Sequence, residues 1–154
     1  MRKYYMRKDT TCQNGIQIIF EPLNPILSSF FRYLKVSKFP FYLSKLVNSS
    51  SFGEENAWFN YYEEMDWEDK LNLCNKIGRD INSNELEIHI YDGQKESLVL
   101  IKTDFEIIFY NYSRKILENY QYDNLVSEIW KNEMKIYLDK FKSNIDNCNP
   151  ETKL

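Results

Sequence analysis

Glu85–Tyr91 reads ELEIHIY, Asp92–Gly93 follows, and Ser97–Lys102 reads SLVLIK. In the first run Leu86, Ile88 and Ile90 alternate with polar residues, the period of a half-buried strand. Asp-Gly between two such runs is a strong short-range signal for a β-hairpin. The hairpin at 85–102 therefore predicts an antiparallel sheet, and the rest of the chain has to be arranged around it.

Upstream, Ile16–Phe20 (IQIIF) follows the turn dipeptide Asn14–Gly15 and reads as a short strand. Asn24 and Pro25 fit an N-cap with proline at the first helical position. Leu27, Phe30, Phe31 and Leu34 then keep helical spacing. Pro40 is expected to end or interrupt this helix at Phe39, with another helical turn or two over Phe41–Val47 and a loop at 48–51. Residues 53–65 fit neither period. Asp66 reads as the next N-cap and Gly78 as the residue after the helix, with Trp67, Leu71 and Cys74 on one face and Leu73 and Ile77 flanking it.

Downstream, Phe105–Tyr110 (FEIIFY) reads as a third strand followed by a helix capped at Ser113. The competing reading is one helix using Phe105, Ile108, Phe109, Tyr112 and Ile116. Asp123 is expected to cap a last helix running to about Ser143, with Val126, Ile129, Trp130, Tyr137 and Phe141 near one stripe and Leu125 and Ile136 beside it. Separate runs of helices and strands make the class α+β: a small antiparallel sheet of three to four strands, packed by helices from the N-terminal half and the C-terminus. A single domain over 1–143 and a frayed polar tail over 144–154 are expected.

The totals agree with one globular domain. Of 154 residues 43% are hydrophobic, enough for a core, and only four are Gly and four Pro, too few turn residues for a many-stranded barrel. Cys12, Cys74 and Cys148 are odd in number and form no CxxC pair, which fits reduced thiols in the cytoplasm. No signal-peptide core and no membrane-spanning apolar run is expected.

Charge is unevenly distributed. The net charge is −3, but residues 1–48 carry +6, residues 49–69 carry −7 with no basic residue, and residues 70–154 carry −2. In the acidic segment Glu54, Glu55, Glu63, Glu64, Asp66, Glu68 and Asp69 interleave with Trp58, Phe59, Tyr61, Tyr62 and Trp67. Aromatic rings dominate binding hot spots and carboxylates steer a basic partner, so the segment has the makings of a decoy for a nucleic-acid-binding site. The expected contact set is Glu54, Glu55, Trp58, Tyr61, Tyr62, Glu63, Glu64, Asp66, Glu68 and Asp69. The alternative is that Trp58, Phe59 and Trp67 are core and the acids only solvate the exterior.

The basic third mixes Arg2, Lys3, Arg7, Lys8, Arg32, Lys35, Lys38 and Lys45 with aromatics, a pattern that can bind RNA or a membrane surface. The pI of about 5.3 argues against a nucleic-acid-binding domain, for which a value above roughly 9 is usual.

Catalytic motifs are scarce. His89 is the one histidine, and the chain has no HExxH, GxGxxG, GxxxxGK[ST] or GxSxG pattern. No metal or cofactor is expected. His89 faces away from Leu86, Ile88 and Ile90, with Glu87 and Tyr91. Catalysis by His89, Cys74 or an acidic pair would need a pocket that brings His89 to a cysteine, serine or carboxylate; a flat surface there would argue against it.

The stretch DWEDKLNLCNKIGRDINSNELEIHIYDG (66–93), within a small acidic chain rich in Asn and Tyr, resembles the immunity proteins of bacterial contact-dependent growth inhibition and related polymorphic toxin systems. The resemblance implies a non-catalytic cytoplasmic antitoxin that binds a toxin domain, often a nuclease with a basic cleft, and blocks its active site or an adjacent surface. No direct contact with nucleic acid or membrane is expected. The alternatives are another cytosolic interaction or regulatory module, or a small hydrolase using His89 or the acidic pairs.

Overall fold

The computed structural model describes residues 3–148. Strands β1 (Lys3–Lys8) and β2 (Ile16–Glu21) form an antiparallel hairpin. Helices α1 (Pro25–Tyr33) and α2 (Phe39–Val47) follow, with a 3₁₀ turn between them. Strands β3 (Phe52–Gly53), β4 (Ala57–Tyr61), β5 (Glu85–Tyr91) and β6 (Lys95–Ile101) make a four-stranded antiparallel sheet in sequence order. Helix α3 (Trp67–Ile77) is inserted between β4 and β5, and α4 (Lys102–Tyr120) and α5 (Glu128–Cys148) close the chain. The fold is α+β, with the expected hairpin present as β5 and β6.

One face of the sheet carries Ala57, Phe59, Tyr61, Leu86, Ile88 and Ile90 and is buried. Helices α1 and α4 bring Phe30, Phe31, Phe105 and Phe109 to it. Ring centroids of Phe30 and Phe105, Phe59 and Phe105, and Phe31 and Tyr112 are 5.7, 5.5 and 4.7 Å apart, the spacing of tilted and edge-on aromatic pairs. Asn24 caps α1 by accepting from the Leu27 N–H at 3.1 Å. Asn14, fully buried, ties three elements together: its amide donates to the carbonyls of Phe31 and Leu34, and its oxygen accepts from Ile16 N–H and Tyr112 Oη.

Several sequence expectations need correction. Phe105–Tyr110 is not a third strand but part of α4, and Ser113 is a buried interior residue, not a cap. All six residues from Phe105 to Tyr110 are buried because the helix lies between the sheet core and α5, where Tyr110 meets Phe141. A helix buried on two sides loses its polar face and reads like a strand. Pro40 sits in the first turn of α2 and starts that helix, α1 having already ended at Tyr33.

The last helix is capped by Ser127, whose Oγ accepts from the Trp130 N–H at 3.1 Å, whereas Asp123 accepts from Leu125 N–H in a local turn. Its buried stripe is Trp130, Met134, Leu138, Phe141 and Ile145, leaving Leu125, Ile129 and Ile136 exposed. The helix continues past Ser143 to Cys148; the remainder of the expected tail lies outside the described residues. No helix among them is long and apolar enough to cross a membrane.

Candidate binding site

The second face of the sheet carries Trp58 and Asn60 on β4, Glu87, His89 and Tyr91 on β5, and Lys95 and Ser97 on β6. Only α3 covers it. Asp66 starts this helix by accepting from the Asp69 N–H at 2.8 Å, and Glu68 and Asp69 lie in the first turn, where carboxylates favour the N-terminal end of the helix dipole. Gly78, at φ 76°, ends it in the left-handed conformation that glycine adopts without a Cβ clash. A small cluster of Met65, Leu73 and Ile81, with Tyr62, Ile77 and Val99 against it, holds the helix to the sheet.

Helix α3 packs inward through Leu73, with Lys70, Cys74 and Ile77 half-buried. Asp69, Asn72 and Lys76 are exposed and, with Leu73, line one wall of a cleft. Trp67 and Leu71 point outward at 75% and 50% exposure, and with Cys74 and Tyr62 they line a second, shallow groove on the outer side. The sequence reading put Trp67, Leu71 and Cys74 on one face with Leu73 and Ile77 flanking it; it is the flanking pair that packs inward.

The cleft between α3 and the sheet has a volume of about 460 Å³. Trp58, Asn60, Glu87, His89, Tyr91 and Lys95 form its floor, and Met65 and Leu73 supply apolar surface. His89 and Glu87 are both buried, each 6% exposed. A Glu87 oxygen contacts His89 Nε2, Asn60 Nδ2 lies 2.9 Å from the same nitrogen, and Ser97 Oγ is 3.4 Å from Nδ1. The Trp58 ring stands edge-on to the imidazole. Gly53 is paired with Trp58 across β3 and β4, and a Cβ there would collide with the indole.

A carboxylate on one side of an imidazole and a hydroxyl on the other is the arrangement used in nucleophilic catalysis. Here Ser97 is not among the residues that line the cleft, and its hydroxyl also lies 3.4 Å from Nζ of Lys76, which does line it. Neither Cys12 nor Cys74 lines this cleft. Hydrogen bonding to Asp80, with burial and Asp80's charge, raises the Cys74 thiol above its ordinary pKa, so the thiolate is disfavoured.

The ten residues expected as a contact set separate into several places. Tyr61 is core: it is fully buried and donates to Glu106 Oε1 at 3.0 Å, so it is withdrawn from any surface. Glu54 is held by Lys38 at 2.8 Å and by Tyr42 at 3.2 Å, against α2. Burial pushes its carboxyl up, but the Lys38 and Tyr42 hydrogen bonds outweigh this and hold it below the usual range. Glu55 is exposed beside it in the β3–β4 turn, and Trp58 lines the cleft. Tyr62 lies under Lys70, whose Nζ is 3.9 Å from the ring centre.

Glu63, Glu64, Asp66, Glu68 and Asp69 remain exposed together along the turn and first turn of α3, next to Trp67. Sequence reasoning missed Asn72, Lys76, Tyr91 and Lys95 as cleft residues. The available signal was the polar stripe of α3 opposite the polar side of β5.

Comparison of the chain with protein-family models, curated proteins and solved structures finds no match. Among the described residues, no group of three or more His, Cys, Asp or Glu side chains is placed to hold a metal ion.

Proposed function

We propose that the protein is a non-catalytic cytoplasmic binder, an immunity protein that neutralises a cognate toxin domain by covering a basic active-site surface. The observation that carries this reading is the outward face of α3. There Trp67 and Leu71 are exposed beside Glu63, Glu64 and Glu68. An exposed Trp on a rigid helix is a hot-spot anchor, and an acidic rim steers and orients a basic partner. The toxin is a basic protein, a nuclease in the favoured case, whose phosphate-binding residues meet carboxylates in place of phosphates. The reading involves neither direct nucleic-acid contact nor a cofactor.

The test is co-expression with the toxin domain encoded immediately upstream, scoring survival and complex affinity. Trp67→Ala is expected to weaken the complex by about 2 kcal/mol or more, and combined reversal of Glu63, Glu64 and Glu68 to Lys to abolish protection. Unchanged affinity in both variants overturns the proposed surface. A gene without a toxin neighbour favours a regulatory module acting through the same face on another cytosolic partner.

A second reading, a small hydrolase, is favoured by the Glu87–His89–Ser97 contacts. It predicts esterase activity that His89→Ala removes. The position of Ser97 off the cleft wall makes it the weaker reading.

A further inference from the structure

The cleft beneath α3 is separate from the outward face and carries its own chemistry. A helix packed on a sheet ordinarily buries apolar side chains between the two layers. Here the roof presents Asp69, Asn72 and Lys76, while the floor presents Glu87, His89 and Lys95. Glu87 and His89 are buried on the floor, while Asp69, Lys76 and Lys95 are exposed along the rim. Among the described residues, Lys76, Lys95 and Asp69 form no ion pair, and Glu87 pairs with His89. Lys76 donates to the Ser97 hydroxyl. Two ammonium groups and two carboxylates thus border one cleft of about 460 Å³.

We infer that this cleft binds a small zwitterion, a free α-amino acid with an apolar or aromatic side chain. An anion alone would face Asp69 and Glu87, and a cation alone would face Lys76 and Lys95. A molecule carrying both charges satisfies both sets and introduces no net charge into a partly desolvated space. Its ammonium group lies toward Glu87 and Asp69, its carboxylate toward Lys76 and Lys95, and its side chain against Trp58 and Tyr91. Aromatic walls both hold an apolar group and attract an ammonium. A cavity of this size is within the range of small-molecule sites. The assignment is independent of whether the outer face of α3 holds a toxin.

The experiment is a calorimetric and NMR titration of the full chain with each of the twenty free amino acids, followed for the best binder by its amine-only and acid-only analogues. With phenylalanine as that binder, the analogues are phenethylamine and 3-phenylpropionate. The amino acid is expected to bind with Kd of about 1 mM or tighter and to shift the His89 and Trp58 ring signals. Each single-charge analogue is expected to bind at least about tenfold more weakly.

Lys76→Ala, at an exposed side chain, should reduce the amino acid to the level of its amine-only analogue. Asn72→Trp, which fills the cleft from the exposed helix, should abolish binding while the melting temperature holds. Absence of binding by all twenty, equal binding of the amino acid and both analogues, or full binding by folded Lys76→Ala protein overturns the assignment.

Discussion

Glu106 and Asn14 show how much of this molecule rests on single buried polar groups. Burial raises the Glu106 carboxyl above its ordinary range, outweighing the Tyr61 hydroxyl and the Lys102 ammonium, which lower it. The folded state therefore holds this proton more tightly than the unfolded chain does. The associated stability is complete below the unfolded carboxyl's pKa and is lost as pH rises through the folded one. Glu106→Gln keeps an oxygen to accept from Tyr61 and removes that loss. Urea unfolding should find the variant more stable than wild type at pH 8, by on the order of 1 kcal/mol, with the gain shrinking toward pH 4.

Glu85 has the opposite sign. Its paired hydrogen bonds from Arg79, at 2.8 and 2.9 Å, hold its carboxyl down despite burial, so its contribution is present above the unfolded pKa and lost in acid. Asn14→Ala removes the side-chain donor to the Leu34 carbonyl and the side-chain acceptor for the Ile16 N–H in the core, while the Tyr112 hydroxyl keeps the Ile16 carbonyl and the Phe31 carbonyl keeps the Leu34 N–H. A loss of roughly 3 kcal/mol in chemical denaturation is expected.

At the scale of elements, α4 and α3 are the informative pair. Helix α4 turns Phe105, Phe109 and Tyr112 to the sheet and α1, and Tyr110 to α5. Its Ser113 hydroxyl is buried with no hydrogen-bond partner among the described residues. Replacing Ser113 by Ala removes an unpaired polar atom and adds helix propensity, so the variant should gain about 1 kcal/mol in urea unfolding. Helix α3 is attached more lightly: Leu73 and Ile77 pack inward, while Trp67 and Leu71 are exposed. Apolar side chains left in solvent contribute little to folding.

For the whole molecule, the two sides of the sheet differ in chemistry. The side covered by α1 and α4 is an aromatic core that fixes the fold, and the side under α3 is polar, cleft-bearing and bordered by carboxylates. The Trp67→Ala, Leu71→Ala double variant should keep the melting temperature within about 2 °C of wild type, as expected for exposed positions. It should nevertheless weaken the complex with a basic partner. Affinity of the unaltered protein for that partner should fall as ionic strength rises, since an exposed acidic rim is screened over about 10 Å at 0.1 M salt. An affinity indifferent to salt would place the interface elsewhere.

Local signals in the sequence determined the α+β class, the hairpin around Asp92–Gly93, the caps at Asn24 and Asp66, the Gly78 stop and the stripe of α1. Each depends on a period or a turn chemistry that neighbouring residues establish by themselves. Tertiary structure alone decided that Phe105–Tyr110 is helical, because burial from two sides erases the polar face that marks a helix. It also decided that Tyr61 is core while Trp67 is surface, and that Asn72, Lys76 and Lys95 share a cleft with His89. Which side of an amphipathic element meets the core is set by the layers packed against it, and no single segment carries that information.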